Sequence, residues 1–264
     1  MRPAAGTSSS HAAEGSTGKR VAILQSSYIP WKGYFDIIAS VDEFILYDTA
    51  SYSKGDWRNR NRIKTHAGLS WLTVPVQTSG RLGQPIEEVE VHDTRWAGRH
   101  WRSLETYYAR ARYFDRIAPV LQETYERAAA ETRLSRINEL FIGTVCGLLG
   151  IRTKISRSSD YTLRGDRTTR LLHLCEQAGA TEYLSGPAAK AYLEPGMFSE
   201  CGIVVCWMDY SGYPEYRQLH GPPFVHQVSI LDLLLNEGAA DARRCMLAWR
   251  AEGVADAPRF EAEV

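Results

Sequence analysis

Hydrophobic and polar positions divide the chain into stretches of two kinds. Apolar runs without a polar face occur at Val21-Ala22-Ile23-Leu24, Glu43-Phe44-Ile45-Leu46-Tyr47 and Ile203-Val204-Val205-Cys206-Trp207-Met208, the pattern of strands covered on both sides. Shorter strands are predicted at Ile151 to Ser156 and at Glu182-Tyr183-Leu184. Helical spacing marks Gly33 to Ser40, where Phe35, Ile37 and Ile38 share a side with Val41 just beyond. It returns from Asp93 or Thr94 to about Arg112, from Arg116 to about Thr132 with Asp115 as cap, and from Leu134 to Leu149 before Gly150. Thr168 to Ala178 and Val228 to Asn236, the latter closed by Gly238, complete the helices. A hairpin is predicted from Arg62-Ile63-Lys64 through His66-Ala67-Gly68 to Trp71–Val76, and Val89-Glu90-Val91-His92 alternates like an edge strand.

This alternation of strands and helices defines an α/β fold, Rossmann-like, with a mainly parallel sheet and a helical subdomain packed on it. Residues 20–92 form an N-terminal α/β half carrying substrate loops, 93–150 the helical subdomain and 151–250 a C-terminal α/β half; 1–19 read as a disordered leader and 251–264 as a tail. If the first two strands are parallel neighbours, a ligand crevice lies beyond their carboxyl ends. Gln25, Ser26, Tyr28, Pro30 and Trp31 would line it after the first strand, and Asp48, Tyr52 and Lys54 after the second.

The 264 residues carry 31 basic and 31 acidic side chains, which argues against a protein that coats nucleic acid or an anionic membrane. No apolar run approaches the roughly 20 residues of a membrane span. Five cysteines, Cys146, Cys175, Cys201, Cys206 and Cys245, include no CxxC pair and suit reduced thiols of a cytoplasmic protein, with Cys201 and Cys206 at the two ends of a buried strand as the only thiol candidates for catalysis. No HxxxH, HxH or Cys-pair spacing supports a zinc site.

Candidate chemistry concentrates in Lys54, Arg58, Arg60, Arg62 and Lys64, interrupted by Asn59 and Asn61. In extended backbone Arg58, Arg60 and Arg62 share one face, with Trp57, Asn59 and Asn61 on the other, and such a face suits a phosphate or carboxylate. The alternative is a solvated edge paired to Asp42, Glu43 and Asp56. Asp48, after an apolar strand, can act as a general base or cap a turn. Tyr28, Tyr34, Tyr52 and Tyr210 can pack on a ligand or fill core. Ser185 and Gly186 can present backbone N–H groups to an oxyanion, or form an ordinary turn. His220 and His226 precede a helix, where a histidine can be catalytic or structural.

The pattern QxxYxPWxGYFDxI, followed by DEFxxYD and KGDWRNRNRIK, resembles the WbqC-like protein family, and the likeness continues through YLSGPAAKAYL, YSGYPEYRQLHGPPF and SILDLLLNEG. What that resemblance implies is work on an amino sugar in O-antigen, glycan or secondary-metabolite biosynthesis, with transfer of an aminoacyl group such as glycyl to a sugar amine. Pro30 to Ile38 also resembles the strand-loop-helix of nucleotidyltransferase and pantothenate-synthetase-type folds, in which a Gly-His-Leu segment starts the helix beneath ATP. Tyr34 stands in place of that His, so a hydroxyl replaces a ring nitrogen and the residues leave ATP open as a cofactor.

The expectation is therefore an N-aminoacyl- or acyltransferase, or an amide-forming ligase, acting on an amino sugar or nucleotide sugar, with no nucleic-acid partner and with homo-oligomerisation open. Asp48, His220 and Ser185 carry its chemistry, and Gln25, Tyr28, Pro30, Tyr34, Tyr52, Lys54, Trp57, Arg58, Asn59, Arg60, Gly186 and Tyr210 hold substrate. The alternatives are a non-catalytic nucleotide-sugar-binding or scaffold protein, and a single-strand nucleic-acid binder using Trp57 and the arginines, which the zero net charge disfavours.

Overall fold

The computed structural model describes residues 18–249 and a two-residue strand at Glu261–Ala262. The expected leader up to residue 17, and the expected tail apart from that strand, lie outside the described residues. The chain runs β1 (Arg20–Leu24), α1 (Lys32–Ala39), β2 (Glu43–Leu46), β3 (Arg60–Thr65), β4 (Gly68–Thr73), α2 (Trp96–Tyr108), α3 (Phe114–Ala129), α4 (Leu134–Leu149), β5 (Lys154–Arg157), α5 (Arg167–Gln177), β6 (Glu182–Ser185), α6 (Pro195–Glu200), β7 (Val204–Trp207), α7 (Ile230–Ala242) and β8 (Glu261–Ala262).

Five of these strands, in the order β5-β2-β1-β6-β7, pair in parallel, and β8 adds antiparallel to β7 at the edge. The protein is thus α/β with a Rossmann-like parallel sheet. Successive side chains of a strand point to opposite faces, and here they feed two separate cores. Ala22, Phe44, Leu46, Leu184 and Cys206 pack with α1, α2, α3, α4 and α7. Val21, Ile23, Ile45, Tyr183, Val205 and Trp207 pack with α5 and α6. The helices expected as a subdomain share a single apolar cluster with α1 and α7.

Boundaries shift where tertiary contacts intervene. The hairpin starts two residues before the expected Arg62, at Arg60, and its second strand ends at Thr73, not Val76. Pro75 has no N–H to extend the ladder, whereas polar Asn61 enters it because its side chain reaches carbonyls of the loop after β1. Val89 to His92 makes only isolated bridges, Val76 to Val91 and Glu90 to Arg133, in place of an edge strand. Asp93 does not cap α2; its carboxylate accepts from the Arg95 amide and guanidinium and closes a local turn. At Gly238 φ is +74°, which breaks α7, and a Cβ there would lie 2.6 Å from the Tyr113 ring.

The amino end of the sheet is locked by Glu43, whose side chain is fully buried. Burial alone would raise its pKa. Hydrogen bonds from Lys19 Nζ (2.7 Å), Ser156 Oγ (2.6 Å) and Tyr161 Oη (2.6 Å), with Lys154 Nζ at 2.9 Å, outweigh burial and hold it at about 2. Lys19, expected in the leader, is therefore part of the fold.

Candidate functional site

A cavity of about 1080 Å³ opens beyond the carboxyl ends of β2, β1 and β6. The chain leaves β1 toward β2 and occupies β6, on the other side of β1, only much later, so the winding direction reverses between β1 and β6. Open parallel sheets bind ligands at such a reversal, because the outgoing loops diverge there and leave a crevice. The expected crevice between the first two strands is thus displaced toward β6, though Tyr47 and Ser51 beyond β2 still reach it.

The loop after β1 forms its floor and is held in an uncommon conformation. Ile29 has φ +40°, a left-handed value costly for a β-branched residue. Four neighbours clamp this loop. Arg58 Nη1 donates to the Gln25 and Ser26 carbonyls (2.9 and 3.2 Å), and Asn61 Nδ2 donates to those of Tyr28 and Ile29 (3.1 and 2.8 Å). The Tyr28 amide donates to Trp57 O (3.0 Å), and Asn138 Nδ2 bridges Ser26 Oγ and Arg58 O (3.0 and 2.9 Å). At the start of α1 the Trp31 indole covers Gly33, where a Cβ would stand 2.3 Å from the ring, and it packs on Tyr210 at a centroid distance of 5.1 Å. Gly33 is required for that approach.

Of the residues expected to hold substrate or act on it, Gln25, Pro30, Tyr34, Trp57, Arg58, Ser185, Gly186 and Tyr210 meet on the cavity wall. The others stand elsewhere. Tyr28 is fully buried among Trp96, Tyr125 and Phe141, with its hydroxyl on His100 Nδ1 (2.9 Å), so it is a core residue. Asn59 is buried and donates to Val74 O (2.9 Å). Arg60 lies over the Trp71 ring at 4.3 Å and donates to Gly55 O, and Tyr52 packs against the core. Lys54 is exposed in the loop outside the wall. Asp48 is buried behind the floor, where its Oδ1 accepts from the Ser26 amide at 2.8 Å; burial raises its pKa against the pull of that bond and of the Arg58 charge. His220 bonds Tyr107 O through Nε2 (2.8 Å) and packs on Tyr108, also off the cavity wall.

The expected arginine face divides in the same way. Arg62 stacks on Trp57 and Trp71 (5.3 and 5.4 Å), and Lys64 Nζ is tied to Gln218, Gly221 and Pro223 (2.8, 2.6 and 2.6 Å). Of the basic run, only Arg58 opens on the cavity. Cys201 and Cys206 are outside it too, the first exposed and the second buried.

Sequence reasoning missed the part of the wall contributed by the start of α5. Gly165, Asp166, Arg167 and Arg170, at the start of α5, line the cavity with Tyr192, and Asp56 lines it beside Arg58. One signal was present: Arg167 and Arg170 stand one turn apart directly after Gly-Asp at the head of an amphipathic helix, so both fall at its amino end. The Tyr34 hydroxyl donates to Gln25 O (3.1 Å), which engages its only proton and fits poorly with a phosphate donor in the position of the His of ATP-using folds. No group of three or more His, Cys, Asp or Glu side chains clusters among the described residues.

Fold and cavity together define an α/β protein with a crevice at the carboxyl ends of its parallel strands. The chain belongs to the WbqC-like protein family, whose model matches residues 25–244. It is 52% identical over 221 residues to Rv1507c of Mycobacterium tuberculosis, described as an uncharacterized protein, covering 84% of this chain and 95% of that one. No solved structure matches. The family is associated with glycan and O-antigen biosynthesis. Among the described residues, no helix is long and apolar enough to cross a membrane.

Proposed function

We propose that the chain is an enzyme of glycan or amino-sugar-containing metabolite assembly that attaches an aminoacyl group, such as glycyl, or another acyl group to a sugar amine. The observation that carries this reading is the cavity's volume of about 1080 Å³. Pockets for one drug-sized ligand run from about 300 to 1,000 Å³, so this cavity stands at the upper end of that range and suits an extended or two-part ligand. Trp31, Trp57 and Tyr210 supply ring faces on which a sugar can lie.

A sugar amine is protonated near neutrality and lacks a lone pair until it loses that proton. On this reading Asp56, a carboxylate of the cavity wall, takes it. Its Oδ1 accepts from the Trp57 amide (2.6 Å), and its Oδ2 lies 3.7 Å from Arg58 Nε. The freed nitrogen then bonds to the acyl carbonyl carbon, and the bond from that carbon to its leaving group breaks, with the electron pair departing on the leaving group, which takes up the second proton that the nitrogen sheds. Arg58 favours a carboxylate or phosphate there, and the Ser185–Gly186 turn is the candidate for stabilising the carbonyl oxygen as it becomes negative. Asp48 acts in this scheme as a positioning residue, holding Ser26 beneath Arg58.

The test incubates the full chain with amino sugars and aminoglycosides, glycine plus ATP, or a pre-activated glycyl thioester, and follows product by mass spectrometry. Asp56→Asn is expected to retain sugar binding by calorimetry while product formation falls at least about 100-fold. Sugar binding without product from any donor would replace the enzyme by the binding-protein alternative.

A further inference from the structure

Arg167 and Arg170 are the cations of the cavity wall left without a carboxylate. Arg167 lays its guanidinium 3.4 Å from the centre of the Tyr192 ring, and Arg170 Nε donates to Gly165 O at 3.0 Å. Each is thereby oriented by an uncharged partner. Among the described residues neither lies within 4.0 Å of a carboxylate oxygen, whereas Arg58 faces Asp56 and Arg157, on β5, grips Glu139 at 2.6 Å. Asp166 is the adjacent acid, and its carboxylate caps α5 by accepting from the Thr169 amide (2.9 Å). Those amide bonds are the main cause of its lowered pKa, and the Arg170 charge is the least. With the helix end already capped, an anion at this place would be held by guanidinium groups.

The loop is shaped for this arrangement. Gly165 has φ +82°, and a Cβ there would lie 2.9 Å from Thr169 Cγ2, so only glycine sets the carbonyl that orients Arg170. The two arginines enter from a helix packed on one face of the sheet, while Arg58, with Asp56 beside it, belongs to the clamp held by α4 on the other. The cavity is therefore lined by two charged groups from different parts of the fold, together with the Trp31 and Tyr210 rings.

We infer that Arg167 and Arg170 form a phosphate-binding subsite, the end of the cavity that takes the phosphoryl group of a phosphorylated or nucleotide-linked co-substrate. Paired guanidinium forks match phosphate oxygens, and Arg holds such groups by parallel charge-assisted bonds. The word co-substrate rests on the function proposed above; the anion site itself does not.

Calorimetric titration of the full chain with inorganic pyrophosphate, ADP, UDP and glucosamine 1-phosphate tests it. Wild type is expected to bind pyrophosphate and at least one of the organic phosphates, and the one bound more tightly identifies the source as nucleotide or sugar phosphate. Arg167→Ala and Arg170→Ala should each weaken binding about tenfold or more. The double variant should bind none of the probes, while Arg170→Lys keeps part of the affinity and Arg60→Ala keeps all of it. Circular dichroism and urea midpoints verify folding. No binding of any probe by wild type, or unchanged binding by a folded double variant, overturns the subsite. Loss of amino-sugar turnover with pyrophosphate binding intact would sink the proposed function alone.

Discussion

Two groups of arginines in this molecule do different work. The run from Arg58 to Lys64 is the densest positive segment of the chain, yet most of its charge is engaged by the fold: Arg58 Nη1 binds backbone carbonyls while the side chain still lines the cavity, Arg60 and Arg62 lie on tryptophan rings, and Lys64 enters a buried polar network. Arg167 and Arg170 are sparse and unremarkable in sequence, but they stand in the cavity wall with no ion pair within 4.0 Å among the described residues. Charge density along a chain therefore says little about charge available to a ligand. The arginines interleaved with Trp and Asn find their partners across the fold, at the Gln25 and Ser26 carbonyls and the Trp71 ring, and become structural.

If the comparison holds, Arg58→Ala removes two charge-assisted bonds beneath a strained loop and lowers unfolding free energy by about 3 kcal/mol, whereas Arg170→Ala changes it by about 0.5 kcal/mol or less. Urea denaturation of both variants decides it, and a larger loss at Arg170 would reverse the assignment. Asn61→Ala should cost about 2 kcal/mol in the same assay, because two loop carbonyls, those of Tyr28 and Ile29, lose their donor. At the surface, Arg60→Ala should cost only about 0.5–1 kcal/mol, the worth of an exposed cation–π contact.

Acid sharpens the contrast between core and rim. Burial holds the His100 ring at about 4, below its ordinary 6.5, so the fold prefers the neutral ring. That contribution is complete above 6.5 and is lost as pH falls toward 4. Glu43, held at about 2, adds stability present above about 4.5 and lost on the way down to 2. The buried carboxyls Asp36, Asp48 and Asp232, raised by burial, act in the opposite sense, so the informative quantity is a difference between variants. The urea midpoint of His100→Gln should fall less than that of wild type between pH 6.5 and 4, and an identical pH dependence would place the ring outside the acid response.

Much of the fold was legible because burial on both faces leaves a mark that needs no context. The runs at Val21, Glu43 and Ile203 each contain a strand of the sheet, and the apolar spacing from Leu134 to Leu149 matches α4 to the residue. The hairpin start was less legible, since Asn61 joins a strand only through carbonyls brought to it from residues 28 and 29. Of the site, the residues after β1 and β6 were found by the rule that ligands gather at carboxyl strand ends. Tyr28, Asn59 and Arg60 had the right chemistry, but nothing local told which way each side chain would turn.

The sequence by itself determined the buried strand runs, every described helix but α6, the balance of charge and the family, because periodicity and motif are properties of neighbours along the chain. Only the tertiary structure decided that the winding reverses between β1 and β6, that Asp48 lies behind the cavity floor, and that Arg167 and Arg170 come to line the same cavity as the loop that Arg58 clamps. Whether a charged side chain meets a carbonyl, a ring or open space depends on which distant segments the sheet brings to its edge, and no local pattern encodes that.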